Sequence, residues 1–144
     1  MSAVLEKILS KFDEPAVLGA LATVTDEGRP WVRYLMLACD PADMTLWSTT
    51  FLQSRKCVHI KAHPDVHVTL GVRDLPSAVD YLQIEGTAEV LTDAESRRRM
   101  WTEEQSAYFS GPDDPNYAVI RITPTRIEYQ TMTAMSPEVW EPTS

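Results

Sequence analysis

Ser54, Arg55 and Lys56 stand together a few residues after a run of three hydroxyls, Ser48, Thr49 and Thr50. Residues of those types at that spacing could hold an anion. Met44, Leu46 and Trp47 read as the end of a strand, and Ser54 reads as the N-cap of a helix that stops before Pro64. The first turn of a helix offers free backbone N–H groups and a partial positive charge, and here Arg55 and Lys56 add two full charges to it. Cations in that turn cost a few tenths of a kcal/mol each, roughly, against the macrodipole. A phosphate would offset that cost and satisfy hydroxyls, amides and cations together. The same residues also fit a plain strand, turn and cap, with Arg55 and Lys56 solvated.

Arg33 is the second candidate. It interrupts an apolar strand, and the two-residue period puts it on one face with Trp31 and Leu35. That leaves it either facing outward or directed at a pocket where its planar fork can meet a phosphate. His59, His63 and His67 recur at four-residue intervals, but Pro64 breaks the helix between them, so they read as surface or packing residues. Cys39 and Cys57 have no partners at zinc spacing, and no metal is expected.

The chain around these residues has 144 positions and a net charge of −8, which suits one domain and argues against a nucleic-acid surface. A compact positive spot on an acidic protein fits a small anionic ligand. No apolar run is long enough to span a membrane, and Met1 to Phe12 lacks the pattern of a signal peptide, so a cytoplasmic location is expected.

The elements that must position the candidates follow from periodicity. A short amphipathic helix is expected over Ala3–Phe12, then strands over Ala16–Val24, Pro30–Cys39 and Met44–Ser48 in a meander. After the central helix come strands over Asp65–Val72 and Val79–Leu91, the latter bent at Gly86. Thr92 or Asp93 caps a further helix, on which Arg97, Arg98 and Arg99 read as a solvated face. Two short strands, Tyr117–Ile122 and Arg126–Gln130, are expected on either side of Thr123-Pro124-Thr125, and 131–144 reads as an irregular tail. The sum predicts a mainly β fold, a six- to seven-stranded antiparallel barrel with flanking helices, because the first three strands leave no room for crossover helices.

With strands, helix and anion site in this order, the chain resembles the pyridoxamine 5′-phosphate oxidase-like FMN-binding split-barrel proteins, especially their short general-stress-protein branch. The landmarks are ALATVTDEGRPWVRYL, LWSTTFLQSRKCVHIKAHPDVHVTL, YLQIEGTAEVL and YAVIRITPTRIEY, which together run from about Ala16 to Glu128. The resemblance implies that Arg33, Ser54, Arg55 and Lys56 grip the phosphate of FMN. It places Tyr34, Leu35 and Met36 along the isoalloxazine, largely through backbone groups, and gives Ser48, Thr49 and Thr50 contacts to the ring edge or ribityl chain. It also implies a homodimer with two flavin sites at the interface, completed by residues near Tyr81–Glu85 and by the partner's tail. The expected activity is that of a small-molecule oxidoreductase, with no side chain singled out as a catalytic acid or base. A flavin carrier or sensor, or a barrel binding F420 or haem, are the alternatives the resemblance allows. Where the branch often has a tryptophan after the closing IEY this chain has Gln130, and its tail lacks the basic residues of the vitamin oxidases.

Overall fold

Strands whose side chains alternate between the two faces of a sheet build most of this protein. In the computed structural model, which describes residues 2–143, Val17–Val24 (β1) turns its odd-numbered side chains inward, and Asp65–Leu70 (β4) buries Val66, Val68 and Leu70. Pro30–Cys39 (β2), Leu46–Phe51 (β3), Asp80–Leu91 (β5), Tyr117–Thr131 (β6) and Glu138–Trp140 (β7) complete a sheet in the order β3-β2-β1-β4-β5-β6-β7. All pairings are antiparallel, and β3 also pairs with β6, so six strands close into a barrel and β7 hangs on the outside edge. Leu21, Leu37, Leu46, Val68, Ile84 and Ile120 fill it and are fully buried. A second apolar cluster, Trp47, Phe109, Tyr117 and Val119, lies on the other face of β3 and β6.

Three helices pack against the barrel. Ala3–Ser10 (α1) is capped by Ser2, whose side chain accepts from the Leu5 N–H, and it buries Ile8. Arg55–Ala62 (α2) packs Cys57 and Ile60 into the core. Ala94–Met100 (α3) is capped by Asp93, whose carboxylate accepts from the Ser96 N–H. Among the described residues no helix is long and apolar enough to cross a membrane.

The structure departs from the sequence reading in several places. The strand expected over Met44–Ser48 runs from Leu46 to Phe51, so Ser48, Thr49 and Thr50 all lie within β3. The two short strands expected around Thr123-Pro124-Thr125 are one strand, β6. Its partner β5 shifts register between Glu85 and Gly86, so Gly86 lies opposite Pro124 and Thr125 is the extra residue of a bulge. The bulge absorbs the N–H that proline lacks, and a Cβ on Gly86 would come within 2.7 Å of the Thr123 carbonyl oxygen. The tail expected to be irregular contains β7, in which Trp140 pairs with Ile127 and reaches the core. α3 is short because Trp101 takes an extended conformation and packs edge-on against Tyr117, at 5.5 Å between ring centroids. The three arginines of α3 are not one solvated face. Arg97 Nε donates to the Tyr117 carbonyl at 2.9 Å, and the Arg99 guanidinium lies 4.1 Å over the Trp47 ring while bonding Asp40 at 2.6 Å.

Candidate functional site

β2 is used unevenly along its two edges, and the site follows from that. One edge pairs with β1 from Pro30 to Leu37, while the other meets β3 only at Ala38 and Cys39. From Trp31 to Leu37 the second edge has no strand beside it. This is the split in the barrel, and it leaves backbone N–H and C=O groups of the Arg33–Met36 stretch without sheet partners. The start of α2 stands nearby, because the Arg55 guanidinium lies 5.5 Å over the Trp31 ring.

Arg33 points inward, not out to solvent. Its Nη1 donates to Thr23 Oγ1 at 2.6 Å and to the carbonyls of Leu21 and Trp31 at 3.2 Å each. Its Nη2 donates to His59 Nδ1 at 3.3 Å, and the Thr23 hydroxyl lies 2.8 Å from the same nitrogen. Burial, and then the charge of Arg55, hold the Arg33 pKa below its ordinary value. Burial also lowers that of Lys56, with Arg33 adding to the effect. These couplings put Arg33, Arg55 and Lys56 in one field. Among the described residues none of the three has a carboxylate partner, nor do Arg29, Lys61 and Arg97, while Lys7, Lys11, Arg73, Arg98, Arg99, Arg121 and Arg126 each have one; the three differ from the others in standing together.

Ser54 occupies the N-cap position of α2 with extended backbone, but its side chain does not cap the helix. The hydroxyl is shared instead with Thr50 Oγ1 at 3.2 Å and Cys57 Sγ at 3.4 Å. The first turn of α2 thus has neither a capping side chain nor an acidic residue. Its positive end is uncompensated.

The three hydroxyls of β3 divide between its two faces. Ser48 and Thr50 are buried on the barrel side, and Thr50 reaches Ser54. Thr49 faces the second apolar cluster, where its hydroxyl accepts from Gln105 Nε2 at 3.3 Å. On β2, Leu35 is buried in the core, so only its backbone can face a ligand. Tyr34 and Met36 are exposed, at 76% and 50%, on the outer face of the barrel. There they join Leu18 and Val32 across the β1–β2 ladder in an apolar patch. The candidates therefore form two groups, an inward cation cluster with Ser54 and Thr50, and an outward apolar patch along the same strand.

Two residues of the site were not singled out by sequence. His59 reads as a packing residue from its spacing, yet it is a buried member of the Arg33 network. Thr23 lies in an apolar run. The usable signals were a hydroxyl on the inward face of β1 and a histidine one helical turn after Arg55.

A cavity of about 650 Å³ lies elsewhere, at the end of the barrel near α1, lined by Lys11, Asp13, Tyr34, Gly71, Arg73 and Asp80. Its cations are already paired with Asp13 and Asp80.

Known proteins resemble this chain in sequence and fold. The sequence model of the family described as pyridoxamine 5′-phosphate oxidase matches residues 5–131. General stress protein 26 of Bacillus subtilis (strain 168) is 31% identical over 122 residues, covering 85% of this chain and 84% of that protein. The crystal structure of General Stress Protein 26 from Bacillus anthracis str. Sterne superposes with a TM-score of 0.80 at 31% identity, covering 97% and 99% of the two chains. A structure named F420 Reductase superposes with a TM-score of 0.62 at 27% identity, covering 82% of this chain and 93% of its own.

Proposed function

Because the chain belongs to the pyridoxamine 5′-phosphate oxidase family, we propose that it is an FMN-binding flavoprotein acting as a small-molecule oxidoreductase. The observation that carries this reading is the set of three cations, Arg33 on β2 and Arg55 and Lys56 at the uncapped start of α2, none with a carboxylate partner among the described residues. An acidic protein that leaves three neighbouring cations uncompensated has a place for a dianion. A phosphate monoester fits the charge, and the open edge of β2 fits a planar ring that needs backbone hydrogen bonds.

In this reading Arg33, Ser54, Arg55 and Lys56 hold the phosphate, and Thr50 supports Ser54 from β3. The backbone of Tyr34, Leu35 and Met36 lines the ring, and Ser48 lies next to it on β3; the side chain of Thr49, turned to the second apolar cluster, leaves only its backbone for the ring's side. Bound FMN supplies hydride or electron transfer, and the chain supplies orientation and charge. The outer patch of Leu18, Val32, Tyr34 and Met36 is the face a second copy covers in a homodimer, which removes it from water. A cytoplasmic location belongs to the same proposal.

Visible absorption of the purified protein, with mass identification of whatever is released on denaturation, tests the reading. Yellow protein that releases FMN supports it. Released F420 would move the assignment to the reading favoured by the F420 Reductase similarity. Protein that neither carries nor takes up FMN overturns it. Sedimentation velocity tests the dimer, and a monomer at micromolar concentration overturns that part.

A further inference from the structure

We infer that His59 is a positioning residue that aims the guanidinium of Arg33 at the anion while leaving its charge uncancelled. The inference rests on the anion-site reading above and deepens it.

An arginine is most simply held in place by a carboxylate, which also cancels its charge. Arg33 is fixed by neutral acceptors only: the carbonyls of Leu21 and Trp31, the Thr23 hydroxyl, and His59 Nδ1. A guanidinium only donates, so its contact at 3.3 Å makes His59 Nδ1 an acceptor, and the Thr23 hydroxyl 2.8 Å from that nitrogen then donates its proton to it. Two donors therefore converge on one lone pair. Nδ1 can accept them only when the ring is neutral with its proton on Nε2.

The remaining charges around the ring favour that state. Burial, then Arg33 from β2, lower the His59 pKa, and Arg55 and His63 from its own helix act the same way; only Asp26, from the β1–β2 turn, opposes them. His59 is 8% exposed. The four acceptors use Nη1 and one proton of Nη2. The Nε–H and the second Nη2–H form the side-on fork of the guanidinium, and among the described residues no protein acceptor meets them. That fork matches two oxygens of a phosphate.

The test compares wild type with His59→Leu, His59→Asn and Thr23→Val for binding of FMN and of riboflavin, which lacks the phosphate. Asn places an amide oxygen near the position of Nδ1, so it keeps the acceptor while Leu deletes it. His59→Leu is expected to weaken FMN by about tenfold or more and to leave riboflavin unchanged. His59→Asn is expected to restore most of the loss. Thr23→Val, which keeps the side-chain shape, should show the same selective loss and serves if His59→Leu does not fold. Unchanged FMN affinity in the Leu and Val variants, an equal loss for riboflavin, or no rescue by Asn overturns the inference.

Should wild type bind neither flavin, the flavin reading fails by itself, and inorganic phosphate becomes the probe for the same variants. Weaker phosphate binding in His59→Leu or Thr23→Val than in wild type then supports the positioning role. Equal binding, or no phosphate binding by wild type, overturns it.

Discussion

The two ends of the barrel treat charge in opposite ways. Near α1, Lys11 and Tyr129 both donate to Asp80, Arg73 pairs with Asp13, and Lys7 pairs with Glu138. Those hydrogen bonds hold the Asp80 carboxyl below the usual range, and the same carboxylate, with burial, pushes the Tyr129 phenol up to about 12. Near α2, Arg33 donates to neutral acceptors, and among the described residues neither Arg55 nor Lys56 pairs with a carboxylate. A cavity of about 650 Å³ lies at the balanced end. In the proposed reading the anion goes to the end where charge is left open, because only uncompensated groups gain much from a partner.

The contrast can be broken by substitution. Replacing Arg55 and Lys56 together by alanine should weaken FMN by about two orders of magnitude or more, through the loss of two charge-assisted contacts. Thermal unfolding should be unchanged or improved, since like charges are removed; fluorescence quenching and a melting curve read both. At the balanced end the outcome reverses. Asp80→Ala leaves Lys11 and Tyr129 without their acceptor and should cost about 1–3 kcal/mol of folding stability in urea titrations, while FMN binding stays at the wild-type value.

Acidity sharpens the same comparison, with a different window for each end. Asp80 has a folded-state pKa below its ordinary 3.8, so its contribution is present above that value and is lost as pH falls through the lower folded value. His59 is likewise lowered from 6.5, so the unfolded chain takes up its proton first. Stability is then full above about pH 6.5 and declines as pH drops below it. Urea midpoints between pH 7 and 5 should fall in wild type and in Asp80→Ala alike, and should flatten in His59→Asn. The smallest effect belongs to Arg98 and Asp113, an exposed pair at 4.0 Å. Arg98→Ala should change stability by less than about 0.5 kcal/mol and binding not at all.

Sequence alone carried the barrel a long way. The apolar run of Val17–Val24 and the alternation of Asp65–Leu70 are local properties, and so are the Asp93 cap and the SRK cluster. What it missed is non-local. Pro124 looks like a strand breaker until Gly86 is seen opposite it, and the open edge of β2 exists only because β3 diverges after two paired residues. Ser54 looks like a capping serine, and only the folded chain brings Thr50 and Cys57 close enough to divert its hydroxyl. His59 and Thr23 each look ordinary within their own segments; their significance lies in a shared contact with a third strand. The three arginines of α3 read as solvent-facing because a helix so short has little periodicity to show which of them meets Trp47 or Tyr117.

The seam between β3 and β6 joins Leu46 to Ile122 and Phe51 to Tyr117, across roughly half the chain. The β1–β2 hairpin, by contrast, closes over the short turn at Gly28. Closing the longer loop costs more chain entropy before any contact rewards it, so this pairing belongs late in refolding. Thr50, Ser54 and α2 hang from that strand. Anion affinity should accordingly be among the last properties a refolding chain recovers, trailing the return of sheet signal, and a newly made chain would be a barrel in outline before it could hold a phosphate.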